Sequence, residues 1–145
     1  MTLDELRGAG EQDLGATGWV RIDQHAIEQF AEATGDHQWI HVDPEAAAQG
    51  PFGTTVAHGY LSLAMIPGLL SQLLRVTDAR MGVNYGIEKV RFTAPVPSGS
   101  EVRLRGHIVS SEPRGEGVLY RPAAEIEIRG GDKPALVGEV LYLVF

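Results

Sequence analysis

The segment Val56–Val76, "VAHGYLSLAMIPGLLSQLLRV", is the most apolar stretch of the chain. A helix that is apolar on nearly all of its sides has to be buried, because no face of it favours water. Pro67 interrupts the stretch, which is also too short and too polar to span a bilayer. The segment therefore predicts a helix at the centre of the domain, with the other elements packed around it.

After residue 80 the pattern changes from helix to strand. Four β-prone runs are separated by turn clusters rich in glycine and proline, and they cover residues 83–96, 100–113, 117–129 and 135–145. In the second run, Val102, Leu104 and Gly106 face one side while the residues between them face the other. The short turns between successive runs favour an antiparallel meander.

Two helix starts are marked before the central segment. Asp23 suits the N-cap of a helix with apolar residues at helical spacing, and Gly35 suits its C-terminal stop. Asp43, followed by a proline, suits the start of a shorter helix. With a β-prone run at 16–23, the chain offers roughly five strands and one buried helix. We predict an α+β fold in a single domain, 1–145, with a curved antiparallel sheet wrapped around the central helix.

The composition excludes several classes of function. The net charge is −7 and the 12 lysines and arginines are dispersed, whereas affinity for nucleic acid depends on clustered cations. The absence of cysteine rules out disulfides, cysteine-ligated zinc, iron–sulfur clusters and a thiolate nucleophile. The acidic N-terminal residues contain no apolar core of a signal segment. We therefore expect a cytoplasmic protein with neither a nucleic-acid partner nor a membrane anchor.

The segment "GDHQWIH", Gly35–His41, places a carboxylate and an imidazole five residues apart just after a predicted helix end. Asp36 and His41 could converge on one small ligand, where they would bind and activate a water molecule. The alternative is purely structural: Asp36 bonds to nearby backbone amides in a turn, and His41 packs in the interior. Spacing alone does not decide between these two interpretations.

A second feature lies at the start of the central helix, where His58 precedes Gly59. Free amides and the positive end of the helix dipole favour an anion there. Gly59 would offer its N–H without an obstructing side chain, as a developing oxyanion requires. The alternative is that Gly59 only permits close packing and that His58 bonds to the backbone.

These residues carry a family resemblance. The stretch "FAEATGDHQWIHVDPEAA" resembles the hydratase-2 signature of the MaoC-like (R)-specific enoyl-CoA hydratases, Gly-Asp-x-Asn-Pro-aliphatic-His followed by a helix. "AHGYLSLAM" resembles that family's His-Gly helix start, and "NYGIEKVRFTAPVPSGSEVRLRG" its Phe-x-x-Pro-Val strand pair. The resemblance covers most of residues 16–145. Gln38-Trp39 replaces Asn-Pro of the signature, a change that resembles a nodulation-protein-N-like subgroup.

The resemblance implies the hotdog fold, usually in a homodimer or a dimer-based higher oligomer. It implies hydration of trans-2-enoyl-CoA to (3R)-3-hydroxyacyl-CoA, or the reverse dehydration, with no metal or organic cofactor. In this sequence Asp36 and His41 match the catalytic pair, and Gly59 matches the oxyanion-hole amide. The candidate substrate-binding residues are His58, Tyr60, Asn84, Tyr85, Lys89 and Arg91. Leu63 and Met65 are further candidates beside the acyl chain, and Arg103 and Arg105 for the CoA phosphates. Core packing is the preferred alternative for Tyr60, Leu63 and Met65, and a solvated strand face explains the four cations equally well.

The sequence leaves two other functions and a metal site as alternatives. A hotdog thioesterase would hydrolyse the same class of thioester, and a non-catalytic acyl-CoA-binding module would bind it without turnover. A metal site built from His37, His41 and His58 is disfavoured, because histidines four residues apart chelate best on a helix, and we expect this segment to be a loop.

Overall fold

The fold follows from one antiparallel sheet and a long helix that packs against it. The computed structural model describes residues 1–145. Its elements, in chain order, are α1 (Leu3–Arg7), β1 (Gln12–Ala16), β2 (Val20–Arg21), α2 (Gln24–Thr34), α3 (Trp39–Val42), α4 (Pro44–Ala48), α5 (Gly59–Leu73), β3 (Gly82–Phe92), β4 (Glu101–Arg114), β5 (Gly117–Ile128) and β6 (Leu136–Val144).

The predicted helix signals before the central helix are confirmed. The Asp23 carboxylate accepts a hydrogen bond from the Ala26 amide, and α2 ends at Gly35, whose φ of 79° is left-handed. The Asp43 side chain accepts from the Ala46 amide at the start of α4. Gly35 and Asp43 therefore mark the two ends of the segment that carries Asp36 and His41.

The sheet has the strand order β1-β4-β5-β6-β3, with β2 also paired to β4. The four predicted strands after residue 80 are present, but the meander holds only for β4, β5 and β6. The prediction that β3 lies beside β4 was wrong, because β3 pairs with β6 at the opposite edge. The connection 93–100 is too long for a tight hairpin, and it pairs instead with the segment that leads into α5, through a bridge between Val56 and Pro97.

The N-terminal part also differs from the prediction. The run at 16–23 is not one strand, since β1 ends at Ala16 and β2 covers only Val20 and Arg21. A register shift between Asp13 and Gly15, where Gly15 has a φ of 76°, bends this edge of the sheet. The short helix α1 was not predicted, and it buries Leu6 in the core.

Helix α5 packs one side against the sheet, and its buried residues are Ser62, Ile66, Leu69 and Leu70. Burial on nearly all sides is not seen, since Tyr60 on the other side is 66% exposed. Ile66, Leu69 and Leu70 of α5 join Leu104 and Ile126 of the sheet in one hydrophobic core. This arrangement confirms the α+β hotdog class. No helix has both the length and the apolar character needed to cross a membrane.

Candidate active site

His41 is held in one tautomer by the backbone. Its side chain is 7% exposed, and its Nδ1 lies 2.7 Å from the main-chain oxygen of Val56. Because a carbonyl oxygen can only accept, Nδ1 must carry the proton when the ring is neutral. The lone pair is therefore on Nε2, which is the nitrogen left to act on a ligand. The structure places His41 in the short helix α3 rather than in the loop expected from sequence.

His58 fixes the position of Asp36 and supports the ring of His41. Its Nε2 lies 2.9 Å from the main-chain oxygen of Asp36, so this nitrogen is the donor. The rings of His41 and His58 stack with centroids 3.8 Å apart and planes 24° apart. His58 is only 2% exposed, and its Nδ1 is buried without a hydrogen-bond partner. This geometry favours a positioning role for His58 over direct substrate contact.

Asp36 is exposed, and its carboxylate accepts only a long hydrogen bond, 3.3 Å, from the Gln38 amide. One ligand atom each of Asp36, His41 and His58 lies within 4.8 Å of the others. Two hydrogen bonds of ~2.8 Å to one water span about 4.6 Å when they meet at a tetrahedral angle. This upper limit allows one water molecule to be shared by the carboxylate and the imidazole.

The same three side chains do not suit a shared metal ion. A metal lies in the plane of each imidazole that ligates it, at about 2.0–2.1 Å from the nitrogen. The ring planes of His41 and His58 are only 24° apart at a centroid distance of 3.8 Å. Two nearly parallel planes at this spacing intersect much farther from the ring nitrogens than a metal–nitrogen bond reaches, so one metal ion does not lie in both planes. His37, the third histidine of the sequence hypothesis, is exposed and lies 3.7 Å from the Glu32 carboxylate.

Gly59 is the first residue of α5, and no group of the chain accepts a hydrogen bond from its amide. Such free amides at the N-terminus of a long helix favour negative charge. A Cβ built on Gly59 would lie 2.9 Å from the ring of Phe92. A side chain here would displace this ring, so the structure shows the close packing that was the alternative role of Gly59. The role of its free amide stays a prediction.

Residues that the sequence did not reveal hold this site together. The Gln24 side-chain amide donates to the main-chain oxygen of His41 at 2.8 Å, and its carbonyl accepts from the Thr55 hydroxyl at 2.7 Å. The Val56 amide donates to the main-chain oxygen of Ile40. These bonds join α2, α3 and the segment before α5, and none has a sequence signature, since half of the bonded atoms belong to the backbone.

The departure from the family signature has a local structural meaning. Gln38 is the N-cap of α3, without a side-chain cap bond, and Trp39 is its first residue. Asparagine is favoured at the N-cap of helices in general, and proline at the first helical position. Trp39 instead packs over Gly50, where an added Cβ would lie 2.8 Å from the indole ring. The turn is thus stabilised by aromatic packing in place of capping.

Two adjoining cavities follow one face of α5. The first, about 350 Å³, is lined by Tyr60, Leu63 and Asn84, among others. The second, about 620 Å³, continues to the C-terminal end of the helix. Both are lined by Pro67, Asn84 and Tyr142. We call these two cavities the α5 groove. Its first lining residue, Tyr60, follows Gly59 in the sequence.

The remaining predicted residues lie elsewhere. Tyr85 does not line the α5 groove, and Arg114 stacks 4.7 Å over its ring. Lys89 and Arg91 are exposed on β3, and neither belongs to an ion pair of the chain. Met65 packs against the hydrophobic core. Arg103 and Arg105 both contact the Glu127 carboxylate.

Comparison with known proteins gives consistent matches. Residues 7–122 match the family model of the MaoC like domain. The chain is 48% identical over 139 residues to 3-hydroxyacyl-thioester dehydratase Z of Mycobacterium tuberculosis, covering 95% of this chain and 92% of the relative. It is 40% identical over 147 residues to Nodulation protein N of Rhizobium leguminosarum bv. viciae, covering 99% and 91%. R-Hydratase PhaJ1 from Pseudomonas aeruginosa shares the fold, with a TM-score of 0.77 at 24% identity over 99% of this chain and 84% of that one.

Proposed function

The chain belongs to the MaoC-like dehydratases and is an enzyme of that class, and we propose that it adds water to trans-2-enoyl-CoA thioesters to give (3R)-3-hydroxyacyl-CoA. The reverse dehydration uses the same site. The observation that carries the proposal is the placement of the Asp36 carboxylate and the His41 imidazole within reach of one water, with the His41 tautomer fixed by Val56.

In the proposed mechanism, Asp36 and His41 hold one water by two hydrogen bonds. The oxygen of this water attacks C3 of the enoyl thioester, and Nε2 of His41 takes the proton that the water releases. Electrons from the double bond move toward the thioester carbonyl, which becomes an enolate. The pair then returns one proton to C2, so that the elements of water are added and no other reactant is consumed.

The Gly59 amide is the proposed donor to the enolate oxygen. It is free, and it lies at the N-terminus of α5, where the helix dipole adds to the stabilisation of negative charge. His58 precedes it directly and bonds to Asp36. The catalytic loop and the oxyanion donor are therefore joined through one residue. We propose that neither a metal nor an organic cofactor takes part. The stacked geometry of the two histidines supports the absence of a shared metal ion.

The acyl chain is proposed to enter the α5 groove beside Tyr60 and Leu63, which line its first part. The CoA phosphates need cations, and Lys89 and Arg91 are exposed and unpaired on β3. Replacing both with methionine should raise KM for a CoA thioester. It should leave KM for an N-acetylcysteamine thioester, which lacks phosphates, nearly unchanged.

The test of the proposed function is an assay of purified protein with crotonyl-CoA, which follows loss of the conjugated double bond together with release of free thiol. Hydration predicts loss of absorbance without thiol, and Asp36→Asn should abolish it. Thiol release would instead identify a thioesterase. Binding of the thioester without either signal would identify a non-catalytic acyl-CoA-binding module.

We also propose that the chain assembles as a homodimer, or a dimer-based higher oligomer, through β3. This strand is the outer edge of the sheet, and its apolar side chains are exposed: Val83 by 40%, Tyr85 by 46% and Ile87 by 52%. A long edge with exposed apolar residues is a template for pairing with another strand. A second copy of β3, antiparallel to the first, would cover it.

The dimer proposal is tested by the molar mass of the protein in solution. Val83→Lys with Ile87→Lys should produce a folded monomer, because it places charges on the pairing edge. Gln12→Lys, at the opposite edge strand β1, is the control and should remain a dimer. A wild-type monomer, or a double variant that remains dimeric, would contradict pairing through β3.

A further inference from the structure

The far half of the α5 groove has an unusual chemical character for an acyl-chain site. Tyr120 on β5 and Tyr142 on β6 are directly paired across the two strands, and their rings stack with centroids 5.5 Å apart. Both side chains line the 620 Å³ cavity, and they are only 7% and 8% exposed. A purely hydrocarbon chain would bury these two phenols against groups that cannot accept a hydrogen bond.

The phenol hydroxyls have no partner within the chain. A phenol is protonated at neutral pH, and burial raises the pKa of Tyr142 and of Tyr120 further. Both hydroxyls are therefore available as donors. Neither is a fully buried group without a partner, so a ligand oxygen in the cavity can reach them.

Two further residues with N–H donors line this cavity, and the hydroxyl of Ser71, which also lines it, donates to the main-chain oxygen of Gly68. Asn84, paired with Tyr142 across the sheet, and Arg75, just beyond α5, line it. No aspartate or glutamate lines the cavity, and Arg75 belongs to no ion pair of the chain. A cavity with several donors and no acidic side chain is complementary to an oxygen acceptor.

The groove runs along the helix whose first residue is Gly59. Tyr60, Leu63, Pro67 and Leu70 share one face of α5, at spacings of three and four residues, and all line the groove. Pro67 lies eight residues beyond Gly59, which corresponds to roughly 12 Å along the helix axis. Tyr142 lines the groove together with Pro67, so a bound chain of medium length that starts at Gly59 has the length to pass it.

We propose that the far half of the α5 groove receives an acyl chain with a keto or hydroxyl oxygen, which accepts hydrogen bonds from Tyr142 and Tyr120. This rests on the proposed function, because the thioester end of the chain is placed by Gly59. A neutral oxygen fits better than a carboxylate, since the desolvation that keeps the phenols neutral also disfavours a buried anion. The site thus selects an oxygenated acyl chain over a plain alkyl chain of equal length.

The experiment measures binding, so that it does not depend on turnover. Isothermal titration calorimetry compares decanoyl-CoA with its 7-oxo, 8-oxo and 9-oxo derivatives and with decanedioyl-CoA. We expect at least one keto derivative to bind more tightly than decanoyl-CoA. Tyr142→Phe and Tyr120→Phe should each lower that preference by about threefold to tenfold, the loss expected for a hydrogen bond between neutral groups.

Ser111→Ala is the matched control. Ser111 is paired with Tyr120 across the sheet, but its hydroxyl donates to the main-chain oxygen of Ala9 and it does not line the cavity. Its removal should leave the keto preference unchanged. If no keto derivative binds better than decanoyl-CoA, or if the tyrosine variants keep the preference, the proposal is wrong.

Three further outcomes are informative, and the last two separate this proposal from the proposed function. Tightest binding of decanedioyl-CoA would overturn the neutral-oxygen proposal in favour of a carboxylate that pairs with Arg75. Hydration of crotonyl-CoA without any keto preference would overturn only the inference about the acyl chain. A keto preference without hydration of crotonyl-CoA would support the acyl site and contradict the proposed reaction.

Discussion

The Nε2 atom of His58 donates a hydrogen bond to the main-chain oxygen of Asp36 at 2.9 Å, across 22 residues of sequence. This bond connects the loop that carries the carboxylate to the residue directly before Gly59, the proposed oxyanion donor. The ring that makes the bond also stacks on His41. One buried side chain thus sets the relative positions of all three groups proposed to act on the substrate.

The bond between His58 and Asp36 predicts a positioning effect on catalysis. His58→Ala should lower kcat for crotonyl-CoA hydration by about 10²-fold, the effect expected of a small misplacement, with a much smaller change in KM. His58→Gln should restore part of the rate, because the glutamine amide nitrogen can occupy the place of Nε2. Equal loss of kcat in both variants would show that the bond to Asp36 is not what His58 contributes.

A second prediction isolates the amide of Gly59. Any side chain there meets the Phe92 ring, so both variants are made together with Phe92→Leu. Gly59→Ala keeps the N–H, whereas Gly59→Pro removes it at the first helical position, where proline is tolerated. The proline variant should have a kcat about 10²–10³-fold below that of the alanine variant, as for loss of one oxyanion donor. Equal rates in the two variants would rule out the amide as that donor.

The two buried tyrosines predict a loss of stability at high pH. Burial raises the pKa of Tyr142 from 10.0 to about 12 in the folded protein, and burial also raises that of Tyr120. At a pH between the unfolded and the folded pKa of each tyrosine, the unfolded chain has lost a phenol proton that the folded chain retains. The free energy of unfolding therefore falls as pH rises through this range. Urea unfolding measured from pH 9 to pH 12 should show the fall above about pH 10.

The double variant Tyr120→Phe, Tyr142→Phe should flatten this dependence, and Tyr60→Phe, which removes a phenol that is 66% exposed in the structure, should not. An equally steep decline in the double variant would assign the alkaline loss of stability to other groups.

The backbone of β3 contains one strained residue. Lys89 has a φ of 53° and is the one residue other than glycine with a positive φ. Because an L side chain destabilises this conformation, Lys89→Gly should raise the free energy of unfolding by about 0.5–1 kcal/mol. Arg91→Gly, at a neighbouring position without a positive φ, should lower it by about the same amount. The urea midpoints of the two variants measure both effects, and a shift in the same direction would contradict the prediction.

Local signals predicted much of the fold. The caps at Asp23 and Asp43, the stop at Gly35 and the four later strands act over a few residues, and the structure confirms them. The placement of β3 beside β6 was not predictable in this way. It depends on long-range pairing across the sheet and on the route of the connection 93–100, which no local pattern encodes.

The candidate site also combines features that the local sequence predicts with features that depend on long-range contacts. The spacing of Asp36 and His41 and the glycine at the helix start were visible in the sequence. The bond that fixes the His41 tautomer is made by the main-chain oxygen of Val56, and every residue has such an oxygen. The paired phenols of Tyr120 and Tyr142 were likewise not visible, because their meeting depends on the register between β5 and β6.

The measurement that tests the central claim most directly is a double-mutant cycle on Asp36 and His41 in crotonyl-CoA hydration. Asp36→Asn removes the carboxylate, and His41→Asn removes Nε2 while its amide can still donate to the oxygen of Val56. If both residues act on one water, each single variant loses most of the catalysis and the double variant is about as slow as the slower single one. Losses that multiply in the double variant would contradict the shared water, as would a single variant that keeps the wild-type kcat.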